Sequence, residues 1–168
     1  MCREIELELG YKLSEALYPV NPLLLPKATV TDADIELLKQ WNSVRNGAKD
    51  SILSSVMDSV RNGVGDSVWY GVWYGVRDSV WYGVGNGVWD SVWYGVGAYI
   101  GSLFPGINKW KYKNHEQGQY PFQSAVNLWH RGLVPSFDGK IWRLHSGEKA
   151  EVVWEEPEAG WLKARDEK

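Results

Sequence analysis

From Asn42 to Gly101 the chain is written in four-residue units with no insertion or deletion, and this regularity limits its possible folds more than any other feature. The units run from NSVR through DSVR, NGVG, DSVW and YGVW to YGVG and AYIG. Asp, Asn or Tyr stands first in most units, Ser or Gly second, Val or a close substitute third, and mainly Trp, Arg or Gly fourth. A longer period is superposed. DSVWYGVWYGVR (66–77), DSVWYGVGNGVW (78–89) and DSVWYGVGAYIG (90–101) align Asp66 with Asp78 and Asp90, Trp69 with Trp81 and Trp93, and Tyr70 with Tyr82 and Tyr94. Asp, Asn and Tyr codons differ at the first base, as do Ser and Gly codons. Duplication of a short DNA repeat therefore also accounts for the twelve-residue period.

Two structures can use such units. In an α-helix four residues turn about 400°, so the Val stripe drifts about 40° per unit and no single straight partner covers it along the whole array. Seven Gly stand between Asp66 and Gly97. Each costs about 1 kcal/mol against Ala in a helix interior, and the Val, Trp and Tyr around them are weak helix formers. A β-solenoid gives the twelve-residue register a use. The sequence therefore predicts a mainly β fold, a narrow solenoid of three-sided coils stacked about 4.8 Å apart. Val68, Val72, Val80, Val84, Val92 and Val96 are expected inside, with Ser or Gly at the corners. A four-sided coil accepts the units but does not align the longer period. A long or broken α-helical repeat is the alternative.

The flanks suggest a helical N-terminal cap (1–41), the repeat array (42–101) and a C-terminal module of one helix and a β-hairpin (102–168). In residues 3–18, Ile5, Leu9, Leu13 and Leu17 fall four apart, as on an amphipathic helix. Thr31 followed by Asp34 resembles a helix cap, and DADIELLKQW continues as a helix that runs into the array. Pro121 and Phe122 open a short helix through Trp129, ended by Gly132. LVPSFDGK reads as a turn-rich link, and KIWRLH and AEVVWEE as a hairpin. Trp129, Trp142, Leu144, Val152 and Trp154 are expected to build its core.

The DSVW-type array ending in AYIGSLF, followed by YPF, LWHRGLVPSFDGKIWRLH and VVWEE, resembles a group of prokaryotic tetrapeptide-repeat proteins of unknown function. The resemblance runs from about Thr31 to Glu156 and is most specific in its C-terminal phrases. It implies no catalytic residue, cofactor or ligand. Pentapeptide-repeat solenoids are similar by analogy only, since their unit is one residue longer.

Composition narrows the function. A net charge of −3 gives no nucleic-acid footprint, and no apolar run is long enough to span a membrane. The lone Cys2 suits a reducing compartment, so the expected location is the cytoplasm. His115, His130 and His145 lie in separate segments without metal-ligand spacing, and Cys2 has no identifiable catalytic partner. The Asp66, Asp78 and Asp90 series suits turn chemistry better than a cation site, and Glu155, Glu156 and Glu158 suit a solvated surface. No catalytic, cofactor or metal residue is assigned. Eleven Trp are the compositional outlier. If Val fills a narrow interior, the rings of Trp69, Trp81, Trp93, Tyr70, Tyr82 and Tyr94 form a candidate interaction face. The expected function is a non-enzymatic scaffold or protein-interaction protein, pairing as a homodimer, with a further protein partner possible. The alternative is a ligand-binding module whose Trp and Tyr ladders stack on a polysaccharide or another flat partner.

Overall fold

The computed structural model describes residues 14–15, 18–48, 51–81, 89–105, 107, 110 and 119–161. Helices dominate it, and the β-solenoid expected from the array is overturned. After a 3-10 turn at Pro22–Leu24 come α1 (Asp32–Ala48), α2 (Ser51–Val64), α3 (Asp66–Trp81), α4 (Trp89–Ser102) and α5 (Gln123–His130). The strands β1 (Val134–Phe137), β2 (Ile141–Ser146) and β3 (Glu151–Pro157) form one antiparallel sheet in that order.

The physical reason lies in two adjacent positions of each unit acting together, rather than in Val alone. In α3, Trp69, Val72 and Trp73 fall at i, i+3 and i+4, the spacing of an amphipathic helix face. Trp69 and Val72 are buried and Trp73 is partly so, while Tyr70, Gly71, Tyr74 and Gly75 face outward. The drift of the stripe is real but short-lived, reaching only about 160° over a helix of this length. Gly65, a regular position of the array, breaks the helical run between α2 and α3. Its φ of +101° lies where side chains are rarely tolerated, its N–H donates to Arg61 O (3.0 Å), and its carbonyl accepts from Trp69 N (3.3 Å).

Each helix then chooses its own inner face. In α2 the buried side chains are Ile52, Ser55, Val56, Ser59 and Val60, the second and third positions of the unit. In α3 they are the third and fourth, a rotation of about 100°. In α4 every residue from Gly95 to Gly101 is buried. Helix α4 contacts α2, α3, α5 and β1, and so occupies the centre. Val72, Val92 and Val96 are buried as expected, but in helices. Val84 and the side chains of Val68 and Val80 lie outside the described residues.

The flanks agree with the sequence more closely. Thr31 and Asp34 form a reciprocal cap on α1: Asp34 N–H donates to Thr31 Oγ1 (3.3 Å), and Thr31 N–H donates to Asp34 Oδ2 (2.9 Å). Helix α5 ends at Gly132, whose φ is +74°, with Leu133 N–H reaching back to Leu128 O (3.0 Å). The hairpin β2–β3 forms as expected, while VPSF, read as a link, is strand β1 and pairs Val134 with His145 and Phe137 with Trp142. Trp129, Trp142 and Leu144 are buried and Trp154 is partly buried, but Val152 is 48% exposed. The amphipathic segment expected at 3–18 lies largely outside the described residues.

Two glycine substitutions separate the helical fold from a solenoid. A Cβ placed on Gly71 meets no heavy atom within 4 Å, so Gly71→Ala should raise stability by about 0.5–1 kcal/mol. A Cβ on Gly97 would fall 2.6 Å from Leu53 Cδ2, so Gly97→Val should lower stability by about 1–3 kcal/mol. Denaturant melts of both variants check the pair; equal effects would contradict the assigned faces.

Candidate functional site

The array's aromatic residues divide between inside and outside. Trp69 stacks on Trp73 (5.3 Å, 23° between planes), and Trp73 stacks on Trp93 across the α3–α4 contact (5.0 Å, 18°). The three indoles make one continuous row, with Trp69 only 4% exposed. Of the six residues expected to share one face, Trp69 is therefore in the core, Trp93 and Tyr94 are half-buried, and Tyr70 is on the surface. Tyr82 and the side chain of Trp81 lie outside the described residues. Trp73, which links Trp69 to Trp93, and Tyr74, which stacks on Tyr70 at 6.3 Å, carry as much of the arrangement. Their signal in the sequence was the i, i+4 spacing from Trp69 and Tyr70.

A second aromatic group sits where α1 meets the sheet. Phe137 and Trp142, paired across β1 and β2, stack at 4.8 Å. Arg45 lies over Phe137, Trp142 and Tyr94, with its guanidinium carbon 5.0, 5.5 and 5.7 Å from the ring centres. Trp161 stacks on both Trp142 and Trp154, and its indole N–H donates to Glu156 (2.9 Å). Glu155 accepts from Arg143 (3.1 Å), and Glu158 accepts from Asn42 (3.1 Å) and Asn46 (3.5 Å). The carboxylates read as a solvated run thus hold the hairpin to itself and to α1.

The histidines have separate structural roles. His130 approaches Glu15 Oε1 (3.2 Å) and meets the Tyr99 ring edge-on. His145 lies buried between strands, with Nε2 2.7 Å from Ser136 Oγ and Nδ1 2.9 Å from Ala150 O. A neutral ring satisfies both contacts, with Nδ1–H donating to the carbonyl and Nε2 accepting the hydroxyl proton. Burial lowers the His145 pKa, Ala150 O works in the opposite direction, and Arg143 adds to the lowering. This Ser–His pair has no route to substrate, since Ser136 is fully buried. His115 and Cys2 lie outside the described residues.

Other polar groups fasten the flanks to the core. Burial opposes ionisation of Asp34, but hydrogen bonds from Arg131 and Thr31 outweigh it and keep the carboxyl below its ordinary range. Arg131 grips Asp34 through Nε and Nη2, each at 3.0 Å. Asp138 is held at about 2 by Arg143 and by the backbone N–H groups of Ile141 and Lys140. Asp66, at the start of α3, pairs with Arg61, while the side chains of Asp78 and Asp90 lie outside the described residues. Among the described residues, no group of three or more His, Cys, Asp or Glu is arranged to hold a metal ion, and no helix is long and apolar enough to cross a membrane.

A cleft of about 210 Å³ opens beside the C-terminal end of α4, walled by Phe104, Trp110, Tyr120 and Gln123. Its polar groups are engaged: the Tyr120 hydroxyl donates to Ala98 O and the Gln123 amide to Asn127 (2.8 Å). Burial raises the Tyr120 pKa far above its ordinary value. No family model, curated protein or solved structure matches the chain.

Two measurements test this description. Trp73→Ala breaks the indole row at its middle and should cost about 3 kcal/mol in a denaturant melt; a change below about 0.5 kcal/mol, the range of ordinary surface substitutions, would remove Trp73 from the core. The folded His145 titrates below the ordinary 6.5, so as pH falls the unfolded chain takes up the proton first. Its contribution to stability should be complete above about pH 6.5 and decline below it, down to the folded pKa. Unfolding free energies across this range should show the decline in the parent and a shallower slope in His145→Gln.

Proposed function

We propose that the chain is a non-enzymatic interaction protein of the cytoplasm, and that its partner is a second copy of itself. The observation that carries this reading is the outward face of α3. Tyr70 and Tyr74 stack there while 46% and 49% exposed. The adjoining row, Gly71 and Gly75, is open: only Pro19 Cγ, at 3.8 Å from a Cβ on Gly75, comes near it. A ridge of rings beside a groove of glycines is self-complementary under a two-fold axis, because each copy's ridge can enter the other's groove. Exposed Tyr side chains also supply large contact area at low entropic cost. The kinship with DSVW-type tetrapeptide-repeat proteins belongs to the same proposal and rests on the array and the phrases that follow it.

Light scattering on the parent protein and on the double variant Tyr70→Ser with Tyr74→Ser tests the reading. The parent should be a dimer and the variant a monomer, with unchanged circular dichroism because both rings lie on the surface. Gly71→Gln, which fills the groove, should give the same monomer. A monomeric parent at high concentration would overturn self-association.

A further inference from the structure

We propose that the cleft at the C-terminal end of α4 binds a small neutral aromatic compound, a single ring carrying one hydroxyl group. Gly101 lets two rings reach the helix backbone there. A Cβ on Gly101 would collide with the Tyr120 hydroxyl and stand 3.3 Å from Trp110 Cη2. The two rings meet edge to face, 5.1 Å apart, and Tyr120 meets Phe122 in the same way at 5.5 Å. Phe104, Ile107 and Val126 complete the apolar wall. The carbonyls of the last turn, orphans in an isolated helix, are satisfied from inside the protein. Ala98 O accepts from Tyr120, Tyr99 O from Ser102 Oγ (2.6 Å), Ile100 O from Leu103 N–H (3.1 Å) and Gly101 O from Phe104 N–H (3.2 Å). Water in the cleft therefore has few partners, and a ring displaces it at little cost.

Size and charge define the ligand. The cleft holds about 210 Å³ and is open to solvent. A dry apolar cavity of about 150 Å³ takes up benzene, and sites for drug-sized ligands begin at about 300 Å³, so this one suits a single ring with a substituent. Among the described residues no Asp, Glu, Lys or Arg lines it, so a full charge would enter without a counter-charge. Two side chains of the wall have unused polar capacity. Gln123 is exposed, and one end of its amide is hydrogen-bonded to Asn127 while the other has no partner among the described residues. His130 directs Nε2 at Glu15 (3.2 Å) and keeps its second ring nitrogen. A hydroxyl both donates and accepts, and so suits either group. The site shares no residue with the Tyr70–Tyr74 face, so it stands whether or not the chain pairs with itself.

The experiment titrates the full chain with phenol at neutral pH and follows the backbone amide of Gly101, the indole N–H of Trp110 and the side-chain amide of Gln123 by NMR. Saturable shifts in these signals are expected from phenol. Benzoate, which carries a charge, should give none, and cyclohexanol, whose ring is not flat, should bind more weakly. The double variant Gln123→Leu with His130→Leu keeps most of the wall's volume and removes both polar groups. Phenol should bind it about fivefold more weakly, the value of one ordinary hydrogen bond, while toluene binds parent and variant alike. Val126→Phe fills the cleft and should abolish binding of both compounds, with circular dichroism as the check on its fold; if that chain does not fold, the double variant decides. Unsaturable shifts in the parent, shifts spread evenly over all the indole signals, benzoate or cyclohexanol binding as tightly as phenol, or a double variant that keeps its phenol affinity or loses phenol and toluene equally would overturn the proposal.

Discussion

At Gly97 helix α4 lies so close to α2 that an added Cβ would fall 2.6 Å from Leu53 Cδ2, and at Gly101 it would collide with the Tyr120 hydroxyl. The rest of the structure depends on this close approach. It lets α4 run through the middle of the molecule with α2 and α5 against it, and lets Tyr120 reach the carbonyl of Ala98. Beyond Gly101, Leu103 and Phe104 stay buried and close the same core. The glycines that weaken α4 as an isolated helix are what allow its neighbours to make van der Waals contact with its backbone.

The flanks complete the centre by polar contacts to the same helix. Tyr99, in the last turn of α4, accepts a hydrogen bond from Val20 N–H (2.9 Å), donates to Glu15 (2.8 Å), and stacks on Trp129 of α5 at 4.9 Å. Burial raises its pKa, so the hydroxyl keeps its proton and remains a donor. Trp129 in turn donates to Val20 O (2.8 Å). One segment before α1 is thereby tied to α4 and α5 together, and Asp34 with Arg131 ties α1 to the end of α5. These contacts join residues about a hundred positions apart in the chain, so they depend on the packing of the helices rather than on any local preference.

One repeated unit supports several different environments. Its third position is buried in α2, α3 and α4, but the second position turns inward in α2 and α4, and the fourth in α3 and α4. Small Ser or Gly at position two tolerates either placement, and Trp or Gly at position four fills or vacates space as the neighbour requires. Residues twelve apart lie about 120° apart around a helix, so the longer period marks no shared helical face.

The sequence by itself determined the local punctuation: the Thr31–Asp34 cap, the stop at Gly132, the turn at Asp138–Gly139 and the hairpin of β2 and β3. Each is set by neighbouring side chains and backbone angles, and so is legible from a few residues. It also determined which residue types recur four apart, but that Tyr70 aligns with Tyr74, and not with Tyr82 and Tyr94 as expected, followed only from the helix. Val, Trp, Tyr and Gly have weak and competing preferences, so the state of the array was decided by tertiary contacts. Burial of adjacent apolar positions against α4 outweighed the cost of helical glycine. The same contacts decided that Trp69 turns inward while Tyr70 stays outside, one residue and about 100° apart. They also brought Arg45 onto Phe137 and Trp142, a meeting of distant segments that no spacing in the sequence encodes.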